Sequence, residues 1–206
     1  MESPYSDEAL IQSLSGFSNH YADVNGTTLH YVSGGTGAAL VLIPGYPETW
    51  WGYHKVMPLL AQHYQVIVMD VRGMGSSGKT QDGYDKKNMA KDVCELLDLL
   101  EIDQAAICGH DIGAHVAFSF AANYPARATK LIMLDTPHPD AGMYNLPMLP
   151  VPGAGHVYPW WLAFNQVRVL PEQLLEGRMR LVIDWLFDHL LQNKDAVSAF
   201  DKEIYA

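Results

Sequence analysis

Apolar positions along the chain follow two periods, and the places where one gives way to the other mark the elements. Alternation over Phe17–Asp23, a turn at Asn25-Gly26, and alternation again over Thr27–Val32 predict a β-hairpin. Ala38–Ile43 is a continuous apolar run ending at Pro44-Gly45, the pattern of a strand buried on both faces. His54–His63 has helical spacing, and Val66–Asp70 is a second buried strand. Over Asp85–Leu100, residues Met89, Val93, Leu96, Leu97 and Leu100 recur at three- and four-residue steps, which predicts an amphipathic helix. Ala105–Cys108 reads as a strand, and Ile112–Asn123 as a helix of small residues that stops before Pro125. Leu131–Leu134 is a further strand. Strands alternating with helices imply the α/β class: a mostly parallel sheet covered on both faces.

Beyond Asp135 the pattern changes. Residues 136–159 are rich in proline and have no clean period. Three helical stretches follow, at Trp160–Val167, Pro171–Gln192 and Asp195–Tyr205, with no further strand predicted. The expected organisation is an α/β core over residues 1–136 and a helical segment over 137–206.

Composition narrows the function classes. With 49% hydrophobic and 17% charged residues in 206, the chain can bury a sizeable core. A formal net charge of -10 without a basic run argues against nucleic acid or an anionic membrane as partner. No apolar run approaches the ~18 residues of a membrane span. The first residues, MESPYSDEAL, lack the basic and apolar regions of a secretory signal, so a cytoplasmic protein is expected. Cys94 and Cys108 sit in apolar segments and read as buried thiols, not as a metal or redox pair.

The chemistry concentrates in three places. Gly109-His110-Asp111-Ile112-Gly113 joins a predicted strand to a predicted helix. Small residues on both sides permit the strained backbone that lifts a nucleophile above the carboxyl edge of a sheet. The Ile112 N–H, at the helix start, can meet developing negative charge. An aspartate before a helix is otherwise a helix cap. In Leu42-Ile43-Pro44-Gly45-Tyr46-Pro47 the Tyr46 N–H is a second candidate donor, since Pro47 has none to offer. Asp135 ends the strand Leu131–Leu134 and would emerge at the same sheet edge as Asp111, unless it merely caps the turn into Thr136-Pro137.

In these motifs, over about residues 20–205, the chain resembles the α/β hydrolases of the epoxide hydrolase and haloalkane or haloacetate dehalogenase group. That group carries a His-Gly-x-Pro turn, matched here by Pro44-Gly45-Tyr46-Pro47 with proline in place of the usual histidine. It also carries a Gly-His-Asp-x-Gly nucleophile turn, matched by residues 109–113, and a loop resembling Asp70–Gly78. The resemblance implies that Asp111 attacks a saturated carbon to give an alkyl ester. A histidine oriented by Asp135 would direct water onto the ester, and the Tyr46 and Ile112 N–H groups would hold the oxyanion. It implies a cap over 137–206, no metal and no organic cofactor, and a small apolar organic substrate touched by Trp160, Trp161, Tyr158 and His156.

Haloacetate enzymes of this group pair arginines after the nucleophile with the substrate carboxylate, whereas Ile112 and His115 stand here. Epoxide hydrolysis is therefore the first expectation, carbon–halogen hydrolysis the second, and a catalytically dead ligand-binding protein the third. Gly73–Gly78 fits a dinucleotide-binding glycine pattern but is separated from the next helix by Lys79–Tyr84, so cofactor binding is not expected there. The pair His110 and His115 is spaced wrongly for a metal on one helix face. In the resembling group the general base follows an eighth strand, and none of the nine histidines occupies such a place. His138 is the one conceivable substitute. The expectation is a chain truncated at the C-terminal side, with an incomplete cap, an exposed sheet edge and no sustained turnover.

Overall fold

The computed structural model describes residues 3–149, 152–153 and 158–206. They divide into two compact units, Met1–Thr136 and Pro137–Ala206. In the first, strands β1 (Phe17–Val24), β2 (Thr27–Gly34), β3 (Ala38–Ile43), β4 (Tyr64–Met69), β5 (Ala105–His110) and β6 (Ala128–Leu134) form one sheet in the order β1-β2-β4-β3-β5-β6. The β1–β2 hairpin and the β2–β4 pairing are antiparallel; β4, β3, β5 and β6 run parallel. The fold is therefore α/β with a mixed, mostly parallel sheet.

Helix α3 (Lys86–Leu99) follows β4, and α4 (Ile112–Asn123) follows β5. Asp85 caps α3 by accepting from the Asn88 N–H at 2.9 Å, and Leu100 closes it. Its apolar stripe, Met89, Val93, Leu96 and Leu97, is buried in one core with Val41, Ile43, Ile67, Met69 and Ile107 of the sheet and Val116 and Phe120 of α4. Each such side chain contributes roughly 1.5–3 kcal/mol through the water it leaves. The parallel strands run as unbroken apolar stretches because both faces are covered. Both cysteines are buried and unbridged. Strand β6 lies at one edge of the sheet and β1 at the other, and Leu131, Ile132 and Leu134 on β6 are exposed.

Three elements depart from the sequence pattern. A short helix α1 (Asp7–Ile11), capped by Ser6 and acidic in its first turn, was not anticipated. The helix expected over 54–63 is instead a 3-10 turn at Trp50–Tyr53 and the four-residue α2 (Met57–Leu60). Pro58 is the cause: it has no N–H to give and fits only in the first turn of a helix.

The second unit contains α5 (Trp160–Phe164), α6 (Leu170–Leu175), α7 (Met179–Leu190) and α8 (Ala199–Ile204). The single helix expected over 171–192 is broken between α6 and α7, where Gly177 adopts φ +66° and ends the helical path. Val182, Ile183, Leu186 and Phe187 of α7 are buried, and Phe187 lies 5.8 Å from the ring of Tyr205. Ser198 and Asp201 form a reciprocal capping box on α8. Among the described residues, no helix is long and apolar enough to cross a membrane.

Candidate active site

The turn from β5 into α4 is built around a strained aspartate. Asp111 has φ 50° and ψ -120°, and its side chain makes no cap hydrogen bond to α4. Such a backbone costs of order 1–3 kcal/mol and persists only where its surroundings enforce it. Glycines provide that enforcement by close approach. A Cβ on Gly109 would strike the backbone of Gly113, and one on Gly113 would strike the carbonyls of Ile43 and Pro44. A Cβ on Gly45 would sit 2.6 Å from the Asp111 Cβ. The end of β3, the end of β5 and the start of α4 thus meet at backbone contact, and Asp111 is pushed out at the apex.

The other expected groups of this unit gather there. The Tyr46 N–H donates to Asp111 Oδ2 at 2.9 Å. Oδ1 accepts no hydrogen bond from the described residues. Ile112 is the first residue of α4, so its N–H has no partner within the helix. The Asp111 N–H donates to the Leu134 carbonyl at 3.2 Å, continuing the β5–β6 ladder past the pair His110 and Leu134. Asp135 is therefore the neighbour of Asp111 across the strand ends. It too has a left-handed backbone, with φ 47°, and it is exposed.

The geometry adds a group the sequence reading missed. Glu48 Oε2 lies 3.5 Å from Nδ1 of His110. The hydrogen bond to Glu48 holds the His110 imidazole above its ordinary pKa; burial opposes this, and the charges of Glu48, Asp111 and Asp135 add to it. One available signal was an acid within the apolar stretch after Pro47. Lys86, at the start of α3, is held below the usual lysine range by burial, against the opposing pull of Asp85 and Asp111. His115 faces the Thr136 hydroxyl at 3.0 Å.

The raised His110 value has a testable consequence. The pair's contribution to stability is complete below the unfolded histidine pKa of ~6.5 and is lost as pH rises through the higher folded value. Glu48→Gln should therefore lower the thermal midpoint in mild acid and leave it nearly unchanged in mild alkali. A loss of equal size at both ends of that range would show that Glu48 acts by packing instead.

The remaining expected contacts lie in the second unit. Trp160 is half-buried at the centre of an aromatic cluster, 6.3 Å from Trp161, 5.8 Å from Phe164 and 5.2 Å from Trp185 between ring centres. Tyr158 is half-buried, and its carbonyl accepts from the Trp160 N–H at 2.8 Å. His156 lies outside the described residues. Gly73–Gly78 closes on itself, with the Gly73 N–H donating to the Gly78 carbonyl at 3.0 Å, and the next helix begins only at Lys86.

Comparison with known proteins places the chain in a fold family. The sequence profile of the α/β hydrolase fold matches residues 38–163. A soluble epoxide hydrolase from Corynebacterium sp. is 43% identical over 117 residues, which cover 57% of this chain and 41% of that protein. A fluoroacetate dehalogenase from Burkholderia sp. is 35% identical over 125 residues, covering 58% of this chain and 41% of that protein. The crystal structure of wild-type Cfl2 from Burkholderia cenocepacia superposes with a TM-score of 0.78 at 34% identity, over 92% of this chain and 65% of that one. The chain thus spans about two fifths of the length of both curated relatives.

Proposed function

The chain belongs to the α/β hydrolase fold family, and from that membership we propose an epoxide hydrolase-like activity with Asp111 as nucleophile. One observation carries the reading. The Tyr46 N–H holds Oδ2 of a carboxylate raised on a strained turn, while Oδ1 is left unbonded by the described residues. In the first step Oδ1 attacks an epoxide carbon. That carbon's bond to the ring oxygen breaks, and the oxygen leaves as an alkoxide that takes up a proton. In the second, an activated water adds to the Asp111 ester carbon. Oδ2 becomes the oxyanion on the Tyr46 N–H, with Ile112 as second donor. The Cγ–Oδ1 bond then breaks and releases a diol. The resemblance assigns the water's proton to a histidine base, and Asp135, one strand over, is the acid that would orient it. No metal or organic cofactor enters these steps. Residues 137–206 act as the cap, and Tyr158, Trp160 and Trp161 are the aromatic candidates to contact a small apolar substrate.

The likeness to a fluoroacetate dehalogenase makes carbon–halogen cleavage the alternative. Against it, positions 112 and 115 offer no guanidinium for a substrate carboxylate. The test is to treat the chain separately with styrene oxide and with a chloroalkane. Covalent adduct or diol from the epoxide, faster than halide release from the chloroalkane, is the expected result. Halide release with an inert epoxide would assign the dehalogenase reaction. Reversible binding of both, with no chemistry, would mark a ligand-binding protein.

A further inference from the structure

The Tyr46 N–H can serve Asp111 only if the turn that carries it is held still. One end of that turn is fixed by β3. The other end, at Trp50, is gripped by two carboxylates from distant parts of the chain. The Trp50 N–H donates to Asp70 Oδ1 and its indole Nε1–H to Asp7 Oδ1, both at 2.6 Å. Trp50 and Asp70 are fully buried. Asp70 Oδ2 also meets His30 Nδ1 at 2.9 Å and the Ser76 N–H at 3.2 Å. Asp7 Oδ2 accepts from the Ser76 hydroxyl and lies 3.7 Å from His30 Nε2. His30 is itself fully buried, and among the described residues its Nε2 has no hydrogen-bond partner. Burying His30, Asp70 and the Trp50 N–H together costs free energy unless they are mutually satisfied, and the half-buried Asp7 and exposed Ser76 close the rim of the cluster. Simple attachment of α1 does not require it, because Leu10 and Leu14 already anchor that segment in the core.

We infer that Asp7 is a positioning residue for the oxyanion turn: the N-terminal helix, through the Trp50 indole, holds residues 44–50 so that the Tyr46 N–H stays aimed at Asp111 Oδ2. The inference rests on the assignment of Tyr46 as oxyanion donor, but its direct test does not need catalysis. Amide hydrogen exchange of Tyr46 is followed by NMR in the full chain, in Asp7→Ala and in Asp7→Asn. Asp7→Ala should speed Tyr46 exchange about tenfold, while the amides of β3 and β5 keep their wild-type protection. Asp7→Asn retains an acceptor for the indole N–H and should stay within a few-fold of wild type. Should Asp7→Ala fail to fold, Trp50→Phe removes the same indole donor and should give the same local acceleration. Covalent labelling of Asp111 by styrene oxide should slow about tenfold per folded molecule in Asp7→Ala. Failure of the wild-type chain to label would count against the epoxide reading alone. Unchanged Tyr46 exchange, or acceleration spread evenly over the core strands, would overturn the positioning role.

Discussion

Asp111→Gly should abolish covalent capture of an epoxide and leave the fold almost as stable as before. Removing the nucleophile of a covalent mechanism costs on the order of a million-fold in rate. The effect on stability is a near-cancellation. Glycine adopts φ 50° without strain, which returns about 1 kcal/mol. The Tyr46 N–H loses its carboxylate acceptor, which costs about as much. Denaturant melts of the two proteins should therefore agree within about 1 kcal/mol, while labelling by styrene oxide disappears. Were Asp111 only a helix cap, the substitution would leave any labelling in place, since glycine at a cap position costs only a few tenths of a kcal/mol.

The largest structural effect belongs to Gly113→Ala. The new methyl group would fall on the carbonyl oxygens of Ile43 and Pro44. Both are backbone atoms at the end of a central strand, and neither can swing aside as a flexible side chain would. Overpacking of this kind costs roughly 3 kcal/mol, the upper part of its usual range. In a chain of this size that lowers the thermal midpoint by roughly 6–12 °C. The same movement would carry the Pro44–Tyr46 turn away from Asp111, so labelling should fall with stability. Ala114→Gly, at a buried neighbour on the same helix, serves as the control. It should lose about 1 kcal/mol through helix propensity and only part of the labelling rate.

The contrast between these sites shows what the sequence could convey. The hairpin turn at Asn25-Gly26, the helix between Asp85 and Leu100, and the helix from Ile112 to Asn123 were legible because local signals agree with tertiary demands. Cap residues, hydrophobic period and a following proline all point the same way. The elbow was legible because two glycines flank an aspartate at a strand-to-helix junction, and only close backbone approach explains both. Helix breaks were harder. Gly177 ends α6 by adopting a left-handed backbone, although the apolar period runs through it. Helix α1 is too short to show a period at all. The Glu48–His110 pair and the Asp7–Trp50–Asp70 cluster were invisible for a different reason. Their members lie 20 to 63 positions apart along the chain and carry no shared spacing. The sheet order brings the loops after β3, β4 and β5 to one edge and makes Glu48, Trp50, Asp70 and His110 neighbours, and α1 brings Asp7 to them.

The reading as a whole depends on Asp111 forming a bond to substrate carbon. The most direct test incubates the chain with styrene oxide in heavy-oxygen water and maps the peptide that contains residues 109–113 by mass spectrometry. The expected result is a modification confined to Asp111: one epoxide mass while the ester persists, or one heavy oxygen once it has been hydrolysed. Diol formed with Asp111 carrying neither would contradict the account.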